Sequence, residues 1–422
     1  MLASPPVTGA TTSGEGSVGA ENGARVAVPR EPLGRLFLRF LHFGLLAWGG
    51  PVAQIAMIRQ DLVEKEKWVT REHFNRVLAV YQVLPGPEAH ELCVYFGMLS
   101  RGRVGGLLAG LGFMLPGFVL MLGFSWLYLR YGLESPLLAA VFGAVQAAVA
   151  ALIVRAVVRI GQHILVDRWA WAVAVLAALA QGAGVHFGFS LVAAGLIVLL
   201  AKKGLRLPAL GLAGAGALAV LVLLVLHGFA PMGAGGAEVG QGVAQERPSL
   251  LTLLVSGLRG GLLTFGGAYT AIPFIQRDAV VTGAWMTNAQ FLDGLALSGL
   301  IPAPLIIFST FVGYLGGGLP GALVLTAGIF LPAFSFSLLG HDFFERVLNH
   351  PRFRFFLDGV TAGVVGLIAA TTVGLLRAGL TTLPTVVIFA VALGVLFRWN
   401  SKFLVPLVIA GAGVAGLLLQ VR

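Results

Sequence analysis

Charge is what this chain has least of. Charged residues make up 11% of its 422 positions, against 57% hydrophobic, where a soluble domain carries about a quarter charged residues. That deficit excludes a globule coated by its own polar surface in water. Cysteine is nearly missing too. Cys93 stands alone, so no intramolecular disulfide can form, and compartment cannot be read from it. There is no Walker loop, which argues against ATP-driven work within this chain. No Cys/His spacing suggests zinc or haem, so the sequence indicates no metal and no cofactor. The absence of a nucleophile, base and metal-ligand constellation argues against an enzyme. Basic residues exceed acidic ones, 28 to 18, but they are scattered between apolar stretches and form no dense stripe, which argues against nucleic acid as a partner.

What is present is length without charge. Val104–Tyr128, Leu137–Val154 and Leu207–Leu226 are each apolar over roughly the 20 residues that a bilayer crossing takes. Trp169–Ala201 has room for two short crossings. The apolar runs are continuous and do not alternate at period two, which excludes a β-barrel. The 59 glycines suit close helix packing and tolerated helix breaks in lipid. The expected fold class is an all-α polytopic membrane protein whose principal partner is the lipid bilayer. Residues 1–32 read as a disordered cytoplasmic tail, with no apolar h-region to make a signal peptide.

The chain also repeats. Leu41–Pro87 laid over Leu258–Pro304 gives seventeen identities in 47 positions without a gap, among them Asp61/Asp278, Trp68/Trp285, Pro85/Pro302 and Pro87/Pro304. Past one deleted residue the register continues, with Gly97 on Gly313 and Pro116 on Pro332. Shared apolar composition would not align tryptophan, aspartate and paired prolines. The expected organisation is a first repeat over 33–203, a connecting span and loop over 204–249, and a second repeat over 250–422. Charge reverses between the halves. The window 59–76 holds Arg59, Lys65, Lys67, Arg71 and Arg76, whereas its equivalent 276–293 holds only Arg277. Lys and Arg concentrate in cytoplasmic loops, so equivalent loops are expected on opposite sides and the repeats inverted. The N-terminus is then cytoplasmic and the C-terminus periplasmic. Inverted repeats are typical of secondary transporters, with the substrate site near the midplane between them.

Four glycine/proline breaks interrupt the apolar sequence: Gly49-Gly50, Pro85-Gly86-Pro87, Gly266-Gly267 and Pro302-Ala303-Pro304. The flanking segments are too short to span alone. They read as re-entrant hairpins, with Asn75–Ser100 as one kinked span the alternative. A helix that starts at such a break presents unpaired N–H groups and a positive dipole end, which suits an anion. Gly49, Gly50, Pro85, Gly86, Pro87, Gly266, Gly267, Pro302 and Pro304 are therefore candidate substrate-binding positions. Arg259, seven residues before Gly266 in an apolar run, is the candidate cationic partner, because bases at membrane depth usually line a cavity. Glu88 and Asp293 are candidate proton-coupling carboxylates, although Glu88 in a first helical turn is equally a capping residue. Asp61 and Asp278 read as structural ion-pairing groups.

Gly-Gly-Pro-Val-Ala-Gln-Ile-Ala-Met (49–57), Leu-Pro-Gly-Pro-Glu-Ala (84–89), Phe-Gly-Gly-Ala-Tyr-Thr-Ala-Ile-Pro (265–273) and Pro-Ala-Pro-Leu-Ile-Ile-Phe-Ser-Thr-Phe-Val-Gly-Tyr (302–314) resemble the chromate ion transporter family in its long, two-domain form. The resemblance implies export of chromate across a bacterial inner membrane, driven by the proton motive force, with resistance to chromate. The residues alone point to an oxyanion carrier. A sulfate-type carrier or exchanger, or a passive anion channel, remains open at this point, and a homo-oligomer is compatible with the sequence.

Overall fold

The structure is a computed structural model, and it describes residues 28–82, 84–132, 136–227, 247–265, 267–348, 351–399 and 401–419. The described residues are helical and contain no strand. Five helices are long and apolar enough to cross a membrane, and shorter apolar helices accompany them. The chain is an all-α polytopic membrane protein. Gly266, most of the expected tail and most of the connecting loop lie outside the described residues. Residues 28–32, assigned to the tail on composition, are tied to the body. Ser100 Oγ donates to the Pro29 carbonyl at 2.7 Å, and Glu31 pairs with Arg39.

The first half opens with two short helical hairpins. In the first, α1 (Leu33–Leu45) runs to the Gly49-Gly50 break and α2 (Gly50–Ile58) returns, extended by a π-helical turn over Arg59–Lys65. The ion pair Arg39–Glu66 closes the open end. Gly49 and Gly50 have φ of 88° and 75°, a region that costs a side chain energy and glycine none. In the second, α3 (Arg71–Tyr81) and the first segment of α4 (Glu88–Leu127) flank Pro85-Gly86-Pro87. His73 Nε2 lies 2.6 Å from Tyr95 Oη, and the Phe74 and Phe96 rings stack at 6.3 Å. Residues 73–74 therefore sit beside 95–96, and the two segments run antiparallel. The segment folds as a helical hairpin about Pro85-Gly86-Pro87, not as one continuous kinked helix.

At Arg101-Gly102 the backbone reverses, and α4 continues as a full-length span. Helices α5 (Pro136–Ile164), α6 (Arg168–Gly182), α7 (Phe187–Lys202) and α8 (Arg206–His227) complete the first half and the connecting span, close to the expected bounds. The second half runs through α9 (Leu250–Leu262), α10 (Ile272–Gln276), α11 (Asn288–Gly299), α12 (Phe308–Leu348), α13 (Pro351–Gly379), α14 (Leu383–Arg398) and α15 (Leu404–Leu419).

Local geometry recurs at equivalent positions. Gly102 has φ 60° and ψ −155°, and Gly318 has φ 61° and ψ −150°. A π-helical turn at Arg59–Lys65 matches one at Arg277–Thr282. Lys67 and Ala284 are the two non-glycine residues with positive φ among those described, at 55° and 49°. Thr70 and Thr287 each cap the following helix by accepting from a backbone N–H at 3.2 Å. The halves interlock. Helix α5 packs on α13, α14 and α15, while α13 packs on α6 and α7. Lys202 donates to Asp358 at 2.8 Å across that second seam.

Each Pro-x-Pro tip rests on the other half through a contact with room for a single methyl. A Cβ added at Gly86 would lie 3.0 Å from Ala333 Cβ, and one added at Gly117 would overlap Ala303 Cβ. Positions 86 and 303 are equivalent, as are 117 and 333. The glycine and the alanine have exchanged sides between the two contacts.

Two stability predictions follow from this geometry. Gly102 and Gly318 occupy a backbone region essentially reserved for glycine, so Gly102→Ala and Gly318→Ala should each cost about 1–3 kcal/mol. Gly211→Ala, on the open face of α8, should be neutral or slightly stabilising. Gly117→Ala should destabilise by about 1–3 kcal/mol through overpacking, and adding Ala303→Gly should recover most of that loss. Thermal loss of monodisperse protein in detergent reads all five variants.

Candidate functional site

The recurrent breaks meet in crossed pairs: the Gly-Gly break of one half faces the Pro-x-Pro break of the other. One crossing is open. A cavity of about 120 Å³ lies between Trp48–Val52 of the first half and Ser298–Leu305 of the second, with Tyr269 and the start of α15 closing it. Helix α5 supplies its floor through Leu152, Arg155, Ala156 and Arg159. Arg155 and Arg159 are one helical turn apart, and both are close enough to Tyr269 to act on it electrostatically. Among the described residues the wall therefore carries two guanidinium groups and no carboxylate.

The local reasons for this arrangement are chemical. Gly49 and Gly50 let the chain turn without a Cβ in the way, and Pro51 in the first turn of α2 needs no N–H partner. The N-terminus of α2 then lies at the cavity wall, with its free N–H groups and positive dipole end. Pro304 begins the short 3₁₀ turn Leu305–Ile307 that leads into α12. Such a concave wall, with two fixed cations and a helix start, can hold an anion with several acceptor oxygens by charge-assisted hydrogen bonds.

The other crossing is shut. The Gly86 N–H donates to the Thr264 carbonyl at 2.9 Å, which joins the first Pro-x-Pro tip to the residues just before Gly266-Gly267. Gly86, Pro87 and Ala333 are buried there. Glu91, one turn into α4, folds its carboxylate back over Gly86. Gly267, with φ 121°, starts the short 3₁₀ turn Ala268–Ala271 that carries Tyr269 to the open cavity.

The residues singled out from sequence divide between these places. Gly49 and Gly50 line the open cavity, and Pro302 and Pro304 flank Ala303, which lines it. Pro85, Gly86, Pro87 and Glu88 form the closed tip. Gly267 lies on the same loop as Tyr269, and Gly266 is outside the described residues. Arg259 is not in the cavity wall. It donates to Asp278 at 2.7 Å and lies over the Phe187 ring, 5.8 Å from its centroid. Asp278 is thus the ion-pairing group it was expected to be, and so is Asp61, which accepts from Lys65 at 2.6 Å. Asp293 is buried, and its two carboxylate oxygens accept from Tyr128 Oη at 2.7 Å and Gln146 Nε2 at 2.8 Å. Sequence reasoning did not single out Arg155 and Arg159, which stand just past the apolar run Leu137–Val154. The signal was available. Both interrupt the apolar run of α5 before its end at Ile164, which is the same reason Arg259 drew notice.

Comparison with known proteins gives this geometry a family. The sequence profile described as "Chromate transporter" matches residues 34–237 and again 251–417. The chain is 54% identical over 386 residues to a chromate transport protein of Pseudomonas aeruginosa, covering 90% of this chain and 91% of that protein. It is 29% identical over 390 residues to a chromate transport protein of Cupriavidus metallidurans, covering 92% and 94%. No solved structure matches it. The chain belongs to the chromate transporter family.

Proposed function

We propose that this chain is a secondary transporter that exports chromate across a bacterial inner membrane, driven by the proton motive force, and so confers resistance to chromate. The observation that carries the oxyanion reading is the cavity between the two halves, whose wall holds Arg155, Arg159 and the start of α2 without a carboxylate. Family membership supports chromate as the oxyanion. The charge reversal between equivalent loops supports inverted halves, with the N-terminus cytoplasmic and the C-terminus periplasmic. On that orientation Arg155 and Arg159 lie toward the cytoplasm, where an exporter loads its cargo.

Within this reading the cationic role passes from Arg259 to Arg155 and Arg159, because Asp278 already neutralises Arg259. The open cavity and the shut Gly86–Thr264 contact are the two gates of an alternating-access cycle. Opening the second requires the first Pro-x-Pro tip to leave Thr264, and the equivalent movement of Pro302-Ala303-Pro304 toward Gly49-Gly50 would close the first.

The reading is tested in inverted membrane vesicles, where export appears as uptake. Chromate should accumulate above its outside concentration when a proton gradient is imposed, and excess sulfate should compete weakly. Uptake that only equilibrates would indicate a channel, and stronger competition by sulfate than by unlabelled chromate would indicate a sulfate-type carrier.

The residue assignment has its own test. Hydrogen bonds to a charged partner are worth about 1.5–3 kcal/mol, so Arg155→Gln and Arg159→Gln should each cut uptake by about tenfold or more at unchanged membrane abundance. Arg259→Gln alone strands Asp278 in a mostly buried place. The double variant Arg259→Gln/Asp278→Asn should therefore transport better than Arg259→Gln. If it transports no better, Arg259 acts on the substrate.

A further inference from the structure

Glu91 is the most anomalous side chain in the molecule. It is fully buried, at 0% exposure, and neither carboxylate oxygen has a hydrogen-bond partner among the described residues. A buried carboxylate without a partner costs several kcal/mol, whereas the neutral acid costs far less. Evolution could have placed a methyl group there at no such cost. The equivalent stretch of the second half, residues 305–312, contains no Asp, Glu or His. The acidic pair therefore belongs to one gate only.

Among the described residues its surroundings supply no counter-ion. On its own helix the titratable neighbours are Glu88, three residues earlier, and His90, whose ring is held between Phe330 and Phe334 at centroid distances of 4.9 and 4.6 Å. From α3 it faces Tyr81, which packs on Tyr95. From α12, Ala333 lies beside it at the same face of Gly86, and Ser337 interacts with Tyr81. None of the described lysines or arginines forms an ion pair with it. Its position ties it to the gate. The Glu91 carboxylate lies 2.9 Å from where a Cβ on Gly86 would stand, and the Gly86 N–H makes the hydrogen bond to Thr264 that closes this side. The same face of Gly86 also meets Ala333 of the second half, 3.0 Å from that Cβ position, so the tip that carries Glu91 is held against the second half at both Thr264 and Ala333.

We propose that Glu91 is the proton-carrying group of transport: it is buried as the neutral acid while the Gly86–Thr264 contact is shut, and it exchanges its proton with water when that contact parts. The proton passes between a carboxylate oxygen and water while the contact is parted, with no other bond made or broken. Closing the gate over an ionised Glu91 would bury an unpaired charge, so gate closure waits for the proton. Coupling then arises because the gate and the carboxylate share one glycine. The assignment differs from Glu88 and Asp293, the carboxylates singled out from sequence. Glu88 is partly exposed at the helix start, and Asp293 is held by Tyr128 and Gln146. It rests on the proton-driven reading given above.

The test separates proton coupling from substrate movement. In inverted vesicles, Glu91→Gln should lose the extra chromate uptake caused by a proton gradient, falling to the no-gradient level. Exchange of labelled for unlabelled chromate without a gradient should persist, since exchange needs no net proton movement. Glu72→Gln, on the exposed face of α3, should behave as the wild type. Gradient-driven accumulation that survives in Glu91→Gln overturns the assignment, and so does loss of both accumulation and exchange, which would mark Glu91 as structural. If the wild type exchanges chromate but ignores the gradient, the proton-driven reading fails and this assignment with it.

Discussion

A helix broken inside a membrane frees backbone groups that water cannot reach, and protein must satisfy or shelter them. That constraint organises this fold. Each half places two such breaks at the tips of short hairpins, and each Pro-x-Pro tip is sheltered by the opposite half. Gly86 N–H finds Thr264 across the boundary, and the Gly86/Ala333 and Gly117/Ala303 contacts bring the backbones together with one methyl between them. The interlock of α5 with α13, α14 and α15, and of α13 with α6 and α7, holds the two halves in the register these contacts need.

The two crossings are equivalent in backbone but unlike in chemistry. One contains two arginines of α5 and no carboxylate; the other contains Glu88 and Glu91 and is shut. A duplicated scaffold thus carries a cation-walled cavity at one gate and buried acid at the other. On the proposed reading, the first holds the oxyanion and the second sets when the protein may change state. Separating the two also keeps a carboxylate from repelling the substrate at its own site, a repulsion of the kind that interiors screen poorly.

Much of the architecture was legible in the sequence because its signals are local. Positive φ at Gly49, Gly50 and Gly267, the proline pairs and the span lengths are all consequences of nearby residues. The repeat was legible because tryptophan, aspartate and proline align where apolar drift would not place them. The site was less so. Which break faces which depends on a glycine in one half meeting an alanine in the other, and nothing in either stretch alone announces its partner. Arg259 looked like a lone base because Asp278 lies nineteen residues on, beyond the Gly-Gly break, and only the hairpin brings them to 2.7 Å. Arg155 and Arg159 stand just beyond the uncharged run Leu137–Val154, where bases at the end of a span are ordinary, and only the packed structure turns them toward the cavity. Glu91 stands beside Glu88 and His90 in the sequence, but its lack of an ion-pair partner among the described residues is a property of the packed interior.

The central claim is that the oxyanion is held between Gly49-Gly50 and Pro302-Ala303-Pro304 by Arg155 and Arg159. Chromium scatters anomalously, so a crystal of the protein grown with chromate would show the ion directly. The account predicts a chromium peak in the cavity within hydrogen-bonding reach of both guanidinium groups. A peak beside Arg259 and Phe187, with that cavity empty, would contradict it.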